Sequence, residues 1–158
     1  MRTELLRRYT SGSRRAGGGA GYSGTPLPRK LGIKPGHSVL LAGAPPDFES
    51  TLGDLAEGVR TARRTGPGPY DVILLFAYRL RTLERRLGGL KPKLRPSGGL
   101  WICWPKKSSG LRTDLAGGVV RESGLASGLV DNKVCAVDET WSGLRFVYRL
   151  ADRPSPSP

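Results

Sequence analysis

The stretch Asp71-Val72-Ile73-Leu74-Leu75-Phe76-Ala77 (DVILLFA) decides the fold. A run this short, apolar from Val72 to Ala77 and rich in β-branched and large aliphatic residues, predicts a strand covered on both faces, as in the interior of a parallel sheet. Directly after it, Leu80, Leu83, Leu87, Leu90 and Leu94 recur at intervals of 3, 4, 3 and 4, which places a leucine stripe along one side of a helix. Pro92 and Pro96 weaken its last turn, so the helix ends near Leu90. Ser97 to Gly99 then turn into a strand at Leu100 to Trp104.

Moving toward the N-terminus, Ser38 to Ala42 (SVLLA) reads as a second buried strand, preceded by the turn Lys34 to His37 and stopped by Pro45 and Pro46. Thr25 before Pro26 resembles an N-cap followed by proline at the first helical position, predicting a short helix through Leu31 that Gly32 ends. Asp47 to Leu55 predicts a short helix and Val59 to Arg63 a weaker strand. Toward the C-terminus, Asp114 to Ser127 carries Leu115, Val119 and Val120 on one face behind the cap candidate Thr113, a helix. Lys133 to Val137 and Leu144 to Tyr148, joined by Asp138 to Gly143, have the spacing of an antiparallel hairpin. The expected fold is therefore α/β: three layers around a mostly parallel sheet of about six strands, closed by a C-terminal hairpin.

With 158 residues the chain has room for one core, expected over residues 22–150. Residues 1–21 hold five arginines against Glu4 and the glycine run Gly17 to Gly19, a basic tail with too little apolar surface to offset its ordering entropy. Residues 151–158 alternate Ser and Pro and form a second tail. Of the net charge of +13, the first 21 residues carry +4 and residues 22–150 carry +9. A basic domain attracts anionic small molecules, acidic proteins and, without sequence preference, nucleic acid. Leu5 and Leu6 run straight into two arginines, unlike an export signal, and no apolar run approaches membrane-spanning length. Cys103 and Cys135 each lie in an apolar strand-like run, as buried free thiols of a reducing compartment do. Together these predict a cytoplasmic protein.

Four strings, GYSGTPL (Gly21 to Leu27), WPKK (Trp104 to Lys107), GLVD (Gly128 to Asp131) and VDETWSGLRFV (Val137 to Val147), resemble the bacterial domain-of-unknown-function family 3052. That resemblance confers no activity. More broadly, the order of strand, leucine-rich helix, Pro-Gly turn, strand, helix and hairpin is similar to that of the class I, Rossmann-like methyltransferases, which use S-adenosylmethionine. LKPKLRPSGGLWI (Leu90 to Ile102) carries that likeness. Such a fold places far more chain between its first and fourth strands than Ala44 to Pro69 provides, so the resemblance implies a shortened version lacking at least one strand and helix.

In an open α/β sheet ligands bind beyond the carboxyl ends of the strands. That topology gathers Gly43, Ala44, Arg79, Trp104, Lys106, Lys107, Ser108, Asp138 and Trp141 into one candidate rim. Lys106 and Lys107 with Ser108 and Ser109 supply two point charges and two hydroxyls, a set suited to phosphate or another anion. Trp104 and Trp141 either stack a ring there or close the core. A dinucleotide-type or S-adenosylmethionine site wants a glycine-rich first loop and a carboxylate after the second strand. Here the loop is Gly43-Ala44-Pro45-Pro46, and the second strand ends in Arg63 and Arg64. The methyl-donor corner is degraded, and the expected function is a non-catalytic module binding an anionic small molecule or a protein partner, with a methyltransferase as the alternative. His37 stands in a turn at the far end of the first strand, expected to be exposed, and no arrangement of His, Cys and carboxylates points to a metal. The helix face with Arg79, Arg81, Arg85, Arg86 and Lys91 offers a track for phosphates in nonspecific nucleic-acid association.

Overall fold

A computed structural model describes residues 24–153. Its six strands are β1 (Ser38–Ala42), β2 (Arg60–Ala62), β3 (Tyr70–Phe76), β4 (Leu94–Pro105), β5 (Leu129–Ala136) and β6 (Trp141–Tyr148). They form one sheet in the order β2-β1-β3-β4-β6-β5. The first four are parallel neighbours, β6 runs antiparallel to β4, and β5 closes the edge as the partner of β6. The helices are α1 (Leu27–Lys30), α2 (Phe48–Leu52), α3 (Leu80–Leu90) and α4 (Gly117–Ala126). The fold is thus the three-layer α/β arrangement expected from the sequence.

Alternation along β3 sorts the core into two halves. Ile73 and Leu75 face α3 and α4, joined by Leu40, Leu100, Ile102, Phe146 and the stripe residues Leu83, Leu87, Leu90 and Leu94. Val72, Leu74 and Phe76 face α1 and α2, with Leu31, Phe48, Leu52, Trp101 and Cys103. Trp101 is fully buried and its Nε1–H donates to the Leu31 carbonyl at 3.0 Å, which ties the segment before β1 to the middle of the sheet. Both cysteines are buried free thiols, and burial pushes both thiols' pKa upward. Cys103 and Cys135 pair with opposite sides of Gly143, two strand spacings apart, about 9.6 Å, too far for a disulfide.

Several boundaries differ from those read in the sequence. Helix α1 begins at Leu27 with Pro26 as its N-cap, not Thr25. The helix expected over residues 47–55 is confined to Phe48–Leu52, and the second strand to three exposed residues. Strand β4 begins at Leu94, so the supposed turn Ser97 to Gly99 lies inside it. The register explains this: Tyr70 and Val72 of β3 pair with Leu94 and Gly99, leaving Arg95 to Gly98 as a bulge pinned by the Arg95 Nε–Asp71 Oδ1 ion pair at 2.8 Å. The hairpin strands extend to Leu129 and Trp141. His37 is half-buried and not exposed: its Nδ1 accepts the Lys34 N–H at 3.1 Å. Residues 151–153, read as tail, finish a 3-10 turn over Leu150–Asp152, whereas residues 1–21 lie outside the described residues.

The order reverses at β1, whose neighbours are β2 on one side and β3 on the other. Against the doubly wound order 3-2-1-4-5-6, the sheet of the described residues keeps positions 2-1-4-5, has none at position 3 beyond β2, and substitutes a hairpin at the far edge. The chain crosses from β2 to β3 in only seven residues, Arg63 to Pro69, with no helix. Among the described residues no helix is long and apolar enough to cross a membrane.

Candidate functional site

The crevice beyond the carboxyl ends of β1 and β3 is the ligand position of this topology. Gly43 opens it with φ +72, and a Cβ there would lie 3.0 Å from the Phe76 carbonyl oxygen, so both conformation and space require glycine. The following loop is locked from below by Arg63 at the end of β2. Its guanidinium donates to the carbonyls of Ala44 (3.0 Å) and Pro45 (2.8 Å) and forms a two-pronged pair with Glu49 of α2, at 2.9 and 2.8 Å. The hydrogen bonds from Arg63 hold the Glu49 carboxyl down from its usual 4.5 to about 2. A cation fills the corner where a ribose-binding carboxylate would stand, and Pro45 and Pro46 offer no N–H groups to a ligand.

The middle of the rim is filled with rings. Phe48, Phe76, Trp141 and Tyr78 follow one another in edge-on contacts, with centroids 4.9, 5.0 and 5.3 Å apart. Trp141 is buried at 3% exposure within this chain of rings, so it closes the core and offers no stacking face to solvent. Asp138 is likewise engaged: its Oδ1 accepts the N–H groups of Thr140 and Trp141, both at 2.8 Å, and shapes the hairpin turn. The Lys106 N–H donates to the Thr140 carbonyl, fastening the end of β4 to that turn. Burial lowers the pKa of the half-buried Lys106 ammonium, against the opposing attraction of Asp138.

The nine residues expected at one site make different local contacts. Gly43 and Ala44 belong to the Arg63 clamp. Lys106, Asp138 and Trp141 surround the hairpin turn. Trp104 packs instead with the α3 and α4 half of the core, 3.8 Å from where a Cβ of Gly117 would lie. Arg79, Lys107 and Ser108 are exposed. On the basic helix face, Lys91 is engaged internally: its Nζ donates to the Ser127 carbonyl at 2.6 Å and sits over the Tyr148 ring.

Two functional features escape the sequence reading. Asp114, expected at the start of a helix, instead caps α3: its Oδ1 accepts the Leu80 N–H at 2.7 Å, and Thr113 Oγ1 donates to the Tyr78 carbonyl. The N-terminus of α3 is thereby already supplied with a carboxylate. By contrast α4 starts at Ala116-Gly117-Gly118, and among the described residues no side chain caps it and its first turn holds no acid. Its position after the Lys106 to Ser109 loop is not legible in the sequence because Thr113 has the chemistry of a cap and stands a few residues too early. Among the described residues no group of three or more His, Cys, Asp or Glu could hold a metal.

Comparison with solved structures follows the sheet. A S-adenosylmethionine-dependent methyltransferase from Aquifex aeolicus superposes with a TM-score of 0.50 at 15% identity, over 76% of this chain and 86% of that one. An O-methyltransferase of neocarzinostatin biosynthesis, solved with S-adenosylmethionine and 2-hydroxy-5-methyl naphthoic acid, gives 0.55 at 11% identity, over 72% of this chain and 49% of that one. The fold is methyltransferase-like. No family model matches the chain, and no curated protein matches it. At these identities the likeness is one of fold, and the methyltransferase-like sheet here is the version with the shortened first half.

Proposed function

We propose that this chain is a non-catalytic binding module on a shortened methyltransferase-like fold, taking an anionic small molecule at the loop between β4 and α4. The observation that carries the reading is the Arg63 clamp. A guanidinium takes up the Glu49 carboxylate and the Ala44 and Pro45 carbonyls, and the loop Gly43-Ala44-Pro45-Pro46 supplies no glycine-rich cradle for a methyl donor. What remains at the rim is cationic: exposed Lys107, half-buried Lys106, the Ser108 hydroxyl and the uncapped first turn of α4. The strings WPKK and VDETWSGLRFV meet at this loop and the hairpin turn, where the Lys106 N–H donates to the Thr140 carbonyl. An acidic protein segment would be held by the same charges.

The second reading is a S-adenosylmethionine-dependent methyltransferase. It has the fold likeness and the tight turn at Gly43 on its side. Thermal unfolding of the full chain with S-adenosylmethionine, S-adenosylhomocysteine, nucleotides, NADP and inorganic phosphate separates the two. A ligand at about 100 times its Kd adds roughly 2.7 kcal/mol, several degrees for a domain of this size. The module reading expects a shift with a phosphorylated compound that the Lys106→Ala/Lys107→Ala double variant abolishes. A shift with the methyl donor alone would replace it with the methyltransferase reading.

A further inference from the structure

Among the described residues the seven-residue crossover from β2 to β3 packs no helix beside α3, where a longer connection would place one. Between the two lies a shallow cavity of about 360 Å³, largely open to solvent and lined by Thr65 of the crossover, by Arg85, Arg86, Gly89 and Leu90 of α3, and by Lys93. Its lining holds three cations, one hydroxyl and no acid. Among the described residues no carboxylate pairs with Arg85, Arg86 or Lys93. Arg86 also reaches toward β1, its Nη1 being 3.7 Å from where a Cβ of Gly43 would lie.

Gly89 is the second observation. Glycine costs a helix more than any residue but proline, and it is normally kept for a positive φ or a close neighbour. Gly89 has neither: its φ is an ordinary one, and a Cβ would meet nothing within 4 Å. Gly88 is alike in both respects, and of the two only Gly89 lines the cavity, so a side chain at Gly89 would take up part of its opening.

We propose that this cavity binds a small ligand carrying two or more phosphate groups, with Arg85, Arg86 and Lys93 as its counter-charges and Thr65 as a hydroxyl donor. Each phosphate brings a charge of about −1.5 to −2, so two match three cations where one does not. Arginine forks suit phosphate oxygens. The site is separate from the β4–α4 loop and does not depend on it.

Calorimetric titration of the full chain with inorganic pyrophosphate and tripolyphosphate at about 150 mM salt tests this, that salt suppressing diffuse attraction. Both should bind. Gly89→Glu should weaken them at least tenfold without lowering Tm, because it adds a helix former and places a carboxylate in the cavity. Gly88→Glu, which makes the same change of net charge one residue away and outside the lining, should leave binding within about twofold. Arg85→Gln/Lys93→Gln should repeat the loss, and Lys106→Ala/Lys107→Ala should not. Absence of binding, equal weakening by the two glycine variants, or loss only in the Lys106→Ala/Lys107→Ala variant would overturn the proposal. Displacement of pyrophosphate by a single-stranded oligonucleotide with the same Gly89→Glu sensitivity would transfer the site to nucleic acid. Failure here leaves the β4–α4 loop intact, and failure there leaves this cavity.

Discussion

At the scale of single residues, two glycines show how differently a crowded position responds. A Cβ on Gly124 of α4 would overlap the ring of Phe146, which is fully buried and has nowhere to move. Gly124→Ala should cost about 1–3 kcal/mol in urea unfolding, as overpacking does. Adding Phe146→Leu should return part of that loss. A Cβ on Gly99 would overlap the Arg145 guanidinium instead, the end of a half-buried flexible chain that can swing away. Charge supplies a second residue-scale prediction. Because Arg63 holds Glu49 at about 2, the contribution of the pair is complete above pH 4.5 and is lost as pH falls through 2. The difference in Tm between the native chain and Glu49→Gln should therefore shrink across that window, and 1 M salt should shrink it at neutral pH, since the pair is exposed.

At the scale of elements, what can be read in the sequence follows burial. Strand β3 and the stripe of α3 declare themselves because a short continuous apolar run bounded by turns fits a buried strand, and 3-4 spacing fits one side of a helix. Strand β4 is legible only from Leu100 onward, since Arg95 to Gly99 carries the composition of a turn. The Arg95–Asp71 pair that holds the bulge is a contact between residues 24 positions apart, which no local pattern encodes. Strand β2 is exposed at all three positions and reads only as a weak strand over Val59 to Arg63. The candidate rim is legible as a set of loops, but the contacts that divide it, Arg63 with Glu49 and Asp138 with its own turn, emerge only once the loops are placed. Asp114 is the case with a measurable consequence. Its carboxylate caps a helix that begins 34 residues earlier, so Asp114→Ala should destabilise the domain by about 1 kcal/mol and speed hydrogen exchange at the Leu80 amide. Asp114→Asn, which keeps the acceptor, should lose much less.

At the scale of the whole molecule, the charge is uneven in use more than in amount. Residues 22–150 carry +9, but Lys91 and Arg63 direct their charge to carbonyls and a carboxylate within the fold. Exposed Arg79, Arg81 and Arg85 remain for a polyanion. Retention on duplex DNA should accordingly be weak and sequence-independent: about three phosphate contacts imply roughly a fortyfold loss between 50 and 200 mM salt. A retention that survived 200 mM salt would require a more specific surface than this one.

The β2–β3 crossover also sets how the gene for such a domain can grow. Arg63 to Pro69 are nearly all at the surface, so coding sequence added there lengthens one connection without replacing a core residue. A grafted strand and helix would extend the sheet past β2 and roof the cavity beside α3 in a single event. The present chain is the roofless state of that design, and the length of this one loop is the dial by which a library could close the cavity around progressively smaller guests.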